Sequence, residues 1–309
     1  MRKQYCNTNN TMSKENQIKY LINIFNNKFM IRRKKSDKNL FLDFAKNYFS
    51  DYGYKMLQDS DKKNINIYSG NIQNAKFIFT AHYDTPCNSF IMNISNKLSP
   101  LFGVYSPLVI ILLTPVMIMF IDVIMSVNSN LGLFLLLCFF ISLFLKRINK
   151  NNMNDNTSGL ISLFLLASTS YNNKDIAFIL FDNEEKGLKG SKQFSKKSIN
   201  LINKNAIIIN LDCVGNGTTW CIYSNEDTIK SKLIENLNGV AIKKGILTSS
   251  DHKPFIKLRD NTLYISKKFK SKFAGYYHKN IHTNLDRNIN ESDIIELINI
   301  LKKIVSENS

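Results

Sequence analysis

Cysteine is scarce: Cys6, Cys87, Cys138, Cys213 and Cys221 are the five in 309 residues. The count is odd, the spacing irregular, and no C-x-x-C pair occurs. That excludes a zinc ribbon and a thioredoxin-type motif and leaves reduced, structural thiols as the expectation. Five prolines and twelve glycines exclude collagen-like and low-complexity architectures. Acidic residues are also few, 24 against 41 Lys plus Arg, a formal net charge of +17. Such a surplus suits an anionic partner, nucleic acid or a lipid surface, although a chain heavy in Asn, Lys and Ile gains lysine for compositional reasons alone. No nucleic-acid-binding module is recognisable, so no nucleic acid is expected. The first 25 residues lack an apolar run followed by a small-residue cleavage site, so no secretory signal peptide is expected. What is present, 44% hydrophobic and 21% charged residues, is a globular balance that excludes disorder throughout.

Ser13 is placed to cap a first helix, with Ile18, Leu21, Ile22 and Phe25 at helical spacing. A second amphipathic helix is expected over Lys38 to Phe49, and Arg32-Arg33-Lys34-Lys35 between them reads as a solvated turn. From Tyr54 the period changes. Asn64 to Tyr68, Ala75 to Thr80, Ile176 to Phe181, Ala206 to Leu211, Trp220 to Tyr223 and Thr262 to Ile265 read as strands. Helices are expected over Leu160 to Ala167, around Ser191 to Lys197 and over Ser292 to Val305. Strands alternating with helices predict an α/β sheet covered on both faces.

Two apolar stretches interrupt this pattern. Pro107 to Met125 holds one charge, Asp122, and Leu131 to Leu145 holds none. As helices they would reach roughly 28 and 22 Å, against a hydrocarbon core of about 30 Å. They predict an inserted transmembrane helical hairpin over residues 99–145, splitting a domain formed by 1–98 and 146–309, of which 1–50 are N-terminal helices. A hairpin returns to the side it left. Its flanks carry Lys97, Lys146, Arg147 and Lys150, whereas the turn Ser126 to Asn130 is uncharged. Lys and Arg accumulate on the cytoplasmic side. The expectation is therefore an integral membrane protein with two spans, the domain outside the hairpin cytoplasmic and near the anionic inner leaflet.

Ligand-type residues gather where predicted strands end. His82-Tyr83-Asp84 closes one strand, Asp155 sits in Asn-Asp-Asn at a helix start, and Glu184-Glu185 follows a second strand. Asp212 ends a third, and His282-Thr283 lies in the last loop. Sites in open α/β sheets form beyond the carboxyl ends of the strands. Each piece alone is weak, but five in order are not. Two cations about 3.5–4 Å apart need a shared carboxylate and further His or carboxylate ligands, a mixture zinc accepts. Adjacent Glu184 and Glu185 can divide the roles of base and ligand. Asp84, two residues after His82, suits a partner that orients an imidazole.

In AHYDT (Ala81–Thr85), NDNTSG (Asn154–Gly159), FDNEEKGLKGS (Phe181–Ser191), NLDCVG (Asn210–Gly215), SDHKPF (Ser250–Phe255) and HTNLD (His282–Asp286) the sequence resembles the co-catalytic zinc aminopeptidases. That group includes bacterial leucyl aminopeptidases, aminopeptidase Y and glutamate carboxypeptidase. The resemblance runs from Ala75 to Val305 apart from the apolar insert and does not cover the first fifty residues. It implies an α/β/α sandwich around a mixed, mainly parallel sheet and two zinc ions per chain. One zinc would be held by His82 and Asp212, the other by Glu185 and His282, with Asp155 bridging. Glu184 would be the general base and Asp84 a support for His82. His252 would lie near the substrate pocket, and His278 is the rival of His282. The departure is the insert, which puts 70 residues between Asp84 and Asp155.

The function expected is a membrane-anchored aminopeptidase acting on peptides. Two alternatives stand beside it: a single-zinc acyltransferase like the glutaminyl cyclases, and a non-catalytic membrane scaffold, against which the complete ligand set argues. The sequence leaves the oligomeric state open.

Overall fold

The computed structural model describes residues 12–61, 63–102, 107–242, 249–273 and 275–308. Helix α1 (Lys14–Ile24) starts where Ser13 accepts a hydrogen bond from the Asn16 amide, and α2 (Lys35–Asp51) follows a short π-turn. Strands β1 (Met56–Ser60) and β2 (Ile65–Ser69) form a hairpin. Strand β3 (Phe77–His82) leads to the insert: β4 (Cys87–Ser89), α3 (Phe90–Phe102), α4 (Pro107–Val127), α5 (Ser129–Phe144) and β5 (Lys146–Ile148). The chain continues through α6 (Gly159–Thr169), β6 (Ile176–Phe181), α7 (Lys189–Lys197), β7 (Ile207–Leu211), β8 (Thr219–Ser224) and α8 (Asp227–Asn236). Strand β9 (Val240–Ala241), α9 (His252–Ile256), β10 (Thr262–Ser271), β11 (Gly275–Tyr277) and α10 (Glu291–Glu307) complete it.

The strands lie in the order β1-β2-β6-β3-β7-β10-β8-β9, with β11 paired to β10. The central four, β6, β3, β7 and β10, are mutually parallel. Their composition requires that position: β3 and β6 are buried at every residue, as strands covered on both faces must be. Alternation divides the side chains. Phe77, Phe79 and Ala81 join a core under α1, α2, α6, α8 and α10, while Ile78 joins a smaller core with Phe194 of α7 and Phe255 of α9. Helix α6 is apolar on most faces and buried from Gly159 to Ala167, so it is central rather than peripheral. The result is the expected three-layer α/β/α arrangement around a mainly parallel sheet.

The insert holds more than two apolar helices. Strands β4 and β5 pair antiparallel and close it at its base, Asn88 opposite Arg147. The expected boundary at residue 99 falls within α3. Helices α4 and α5 pack on each other as a hairpin whose turn is capped by Asn128, which accepts from the Leu131 amide. Among the described residues no helix is long and apolar enough to cross a membrane. Helices α4 and α5 are present, but the expected transmembrane hairpin is unsupported.

A second expectation needs correction. Arg32, read as part of a solvated turn, is fully buried. Its side chain lies against the rings of Phe25 and Phe41, 5.4 and 5.6 Å from their centroids, which neither a run of four cations nor local periodicity reveals. Cys87, Cys138, Cys213 and Cys221 are free thiols, as expected, and Cys6 lies outside the described residues.

Candidate metal centre

The carboxyl ends of β3, β6 and β7 meet the start of α6 at one edge of the sheet. His82 is the last residue of β3, Glu184 and Glu185 form a short 3-10 turn after β6, and Asp212 follows β7. Asp155 is brought in by the loop before α6. That loop is lashed to its neighbours. Asn156 donates from Nδ2 to the Leu211 carbonyl (2.9 Å), and Ser158 Oγ accepts from the Val214 amide (3.0 Å). Asn154 Oδ1 accepts from the Gly215 amide (2.9 Å). The close approach requires glycine at 159, where a Cβ would fall 2.6 Å from the Leu211 carbonyl oxygen.

Asp155 stands between two imidazoles. Its Oδ1 is 3.3 Å from His82 Nε2 and its Oδ2 is 2.8 Å from His282 Nε2. Asp212 Oδ1 lies 3.7 Å from His82 Nε2, and Glu185 Oε1 lies 3.4 Å from His282 Nε2. Two sets of donor atoms result, His82–Asp155–Asp212 and Asp155–Glu185–His282, each gathered within 4.8 Å and sharing Asp155. His82, Glu184 and Glu185 make a third such group.

Asp84 does more than the sequence suggests. His82 Nδ1 faces both its carbonyl oxygen (3.2 Å) and its carboxylate (3.6 Å). The same carboxylate accepts from the amides of Glu184 (2.9 Å) and Glu185 (3.3 Å). One side chain thus sets the imidazole and the two glutamates. Asp286, quoted in a motif but given no role, accepts from the amides of Asn154 (2.8 Å) and Asp155 (3.0 Å) and so holds the central carboxylate. Arg32 supports the same two loops from behind. It donates to the Tyr83 carbonyl (2.5 Å), to Thr157 Oγ1 (3.1 Å) and to the Phe29 carbonyl, while its amide donates to Thr85 Oγ1 (3.1 Å).

The electrostatics call for a cation. Burial, and then the charge of neighbouring carboxylates, hold Glu184 and Glu185 well above the ordinary carboxylate range. Burial opposes a charged His82, but Asp155, Asp212 and Asp84 outweigh it and raise the imidazole. Buried Glu185 Oε1 and Asp212 Oδ1 have no hydrogen-bond donor among the described residues. Buried acceptors without donors are costly, and mixed imidazole and carboxylate donors suit zinc. The residues fit that metal.

The sequence match is consistent with this geometry: the model of peptidase family M28 covers residues 142–302. The chain belongs to peptidase family M28. As a member it is a zinc-dependent hydrolase of the exopeptidase type. Among solved structures the fold resembles a Porphyromonas gingivalis glutaminyl cyclase (TM-score 0.63, 15% identity, covering 96% of this chain and 98% of that one). It also resembles a Zn-dependent exopeptidase from Parabacteroides distasonis (0.61, 13%, 95% and 96%). A third is a leucine aminopeptidase precursor from Bacteroides thetaiotaomicron (0.60, 15%, 95% and 95%). At these identities the likeness is one of fold. A search of curated proteins finds no match.

Two further histidines lie beside the donor sets that share Asp155 rather than in them. His252 is buried, its ring 4.7 Å from that of Tyr264, a residue that lines the cavity. Burial pushes its pKa down to about 3. His278 lines the cavity but belongs to neither donor set that includes Asp155.

Proposed function

We propose that the chain is a membrane-anchored di-zinc aminopeptidase that removes N-terminal residues from peptides. The observation that carries the reading is the shared carboxylate: Asp155 faces His82 with one oxygen and His282 with the other. One zinc would be held by His82, Asp155 and Asp212, the other by Asp155, Glu185 and His282. Zinc bound there supplies a Lewis acid for the scissile carbonyl and lowers the pKa of water. Glu184 lines the same cavity. It takes the proton of the attacking water and delivers it to the leaving amine, a role for which a raised carboxylate is suited.

Membrane attachment is supported by the surface of the hairpin. Met119, Phe120 and Val123 of α4 and Leu133, Phe134 and Leu137 of α5 are each more than half exposed, and contiguous apolar surface needs a cover. The basic flanks put the catalytic domain on the cytoplasmic side, with Asp122 near the far interface, where a carboxylate costs little. Because β5 pairs with β4 beside the site, substrate peptides would be trimmed close to anionic lipid.

The glutaminyl cyclase reading has one observation in its favour, the full-length likeness to the Porphyromonas gingivalis enzyme. A panel of peptides separates the two. Hydrolysis of peptides with a free N-terminus and none of their N-acetylated forms supports the aminopeptidase. Conversion of N-terminal glutamine to pyroglutamate with release of ammonia, and no hydrolysis, would overturn it.

A further inference from the structure

The cavity over the metal centre is lined by groups of both charges: Asp155, Glu184 and Asp212, and with them Lys268, the one lysine or arginine among its described lining residues. Alternation along β10 puts it there. Lys267 and Lys268 are adjacent, so they leave the strand on opposite faces. Lys267 pairs with Asp293 (2.7 Å) and lies over Trp220. Lys268, four residues after Tyr264, shares that residue's face, and its ammonium lies 5.6 Å from the Tyr264 ring centroid. The residue is 2% exposed, a placement rare for lysine. His278 stands on the same wall, and its buried Nδ1 has no hydrogen-bond partner among the described residues. Ser95, Asn96 and Ser99 of α3 add polar atoms to a lining that also includes Tyr264, Tyr276, Tyr277 and Ile281. The volume, about 250 Å³, suits one side chain rather than a large ligand.

An N-terminal acidic residue matches this set of charges. Its α-ammonium would meet the carboxylates and its side-chain carboxylate the lysine. We infer that Lys268 selects peptides that begin with glutamate or aspartate. The inference rests on the aminopeptidase reading and names the substrate class of that site.

The test compares kcat/KM on Glu-, Gln- and Leu-p-nitroanilide. Glutamate and glutamine differ mainly in charge, and a charge-assisted hydrogen bond discriminates at least tenfold between them. Glu should exceed Gln by that factor, and Lys268→Met should bring the ratio to about one. A lysine that only balances the carboxylates of the metal centre would lower both substrates alike on substitution, and an unchanged ratio in Lys268→Met would overturn the inference. Should that variant fail to fold, product inhibition of the wild-type enzyme decides. Free L-glutamate should inhibit at least tenfold better than L-glutamine, and equal inhibition would overturn it. Hydrolysis of the leucine substrate without preference for Glu over Gln removes this inference alone. If no anilide is hydrolysed, the aminopeptidase reading falls and takes the inference with it.

Discussion

Glu184 and Glu185 are neighbours in sequence with different surroundings. Glu185 approaches His282, whereas Glu184 lines the cavity beside Asp155 and Asp212. The proton-moving role proposed for Glu184 rests on that divergence. In Glu184→Gln the zinc content should be unchanged and turnover should fall at least a hundredfold, since general base catalysis is worth about 10²–10⁴. Steady-state kinetics with metal analysis on the same sample checks both; normal turnover would remove Glu184 from the mechanism. His82, Glu184 and Asp212 were legible in the sequence because they lie just beyond strands marked by mainly apolar runs, such as IFTA before His82 and FILF shortly before Glu184. Lys268 was not, because a Lys-Lys pair looks solvated until the strand's alternation turns one of the two inward. Asp286 was hidden for another reason: its partners are backbone amides 131 and 132 residues away.

The N-terminal helices, outside both the family match and the sequence resemblance, act on the site through Arg32. Burial pulls its guanidinium down to about 9, with Asp84 and Asp155 pulling the other way. The side chain joins the loop after His82 to the loop of Asp155. In Arg32→Met the Tyr83 and Phe29 carbonyls and Thr157 lose their donor, and each buried acceptor left unsatisfied costs about 1–3 kcal/mol. Thermal unfolding should show a lower Tm without metal and a smaller rise in Tm on adding zinc than in the wild type. A lower Tm with an undiminished zinc response would make Arg32 a fold residue only. Strands β2, β3, β6, β7, β8 and β10 and most helices were readable from periodicity. The ribbon of β4 and β5 was not, because three-residue strands leave no period to read, and the burial of Arg32 depends on rings supplied by Phe25 and Phe41.

At the scale of the whole molecule, the sheet edge carries the candidate metal centre, and the insert leaves the chain beside it. Both strands that close the insert lie next to the site, so hairpin and metal centre share one side of any membrane the hairpin enters. After removal of native thiols, Asn128→Cys should react with an impermeant thiol reagent outside intact cells and Asn308→Cys should not. Labelling of Asn308→Cys would reverse the orientation and the proposed cytoplasmic substrate. The central claim, however, is the bridge: a carboxylate whose two oxygens face two imidazoles serves two metals. The zinc content of the detergent-purified, active enzyme tests it most directly. The account predicts two zinc ions per chain; one per chain at full activity would contradict it.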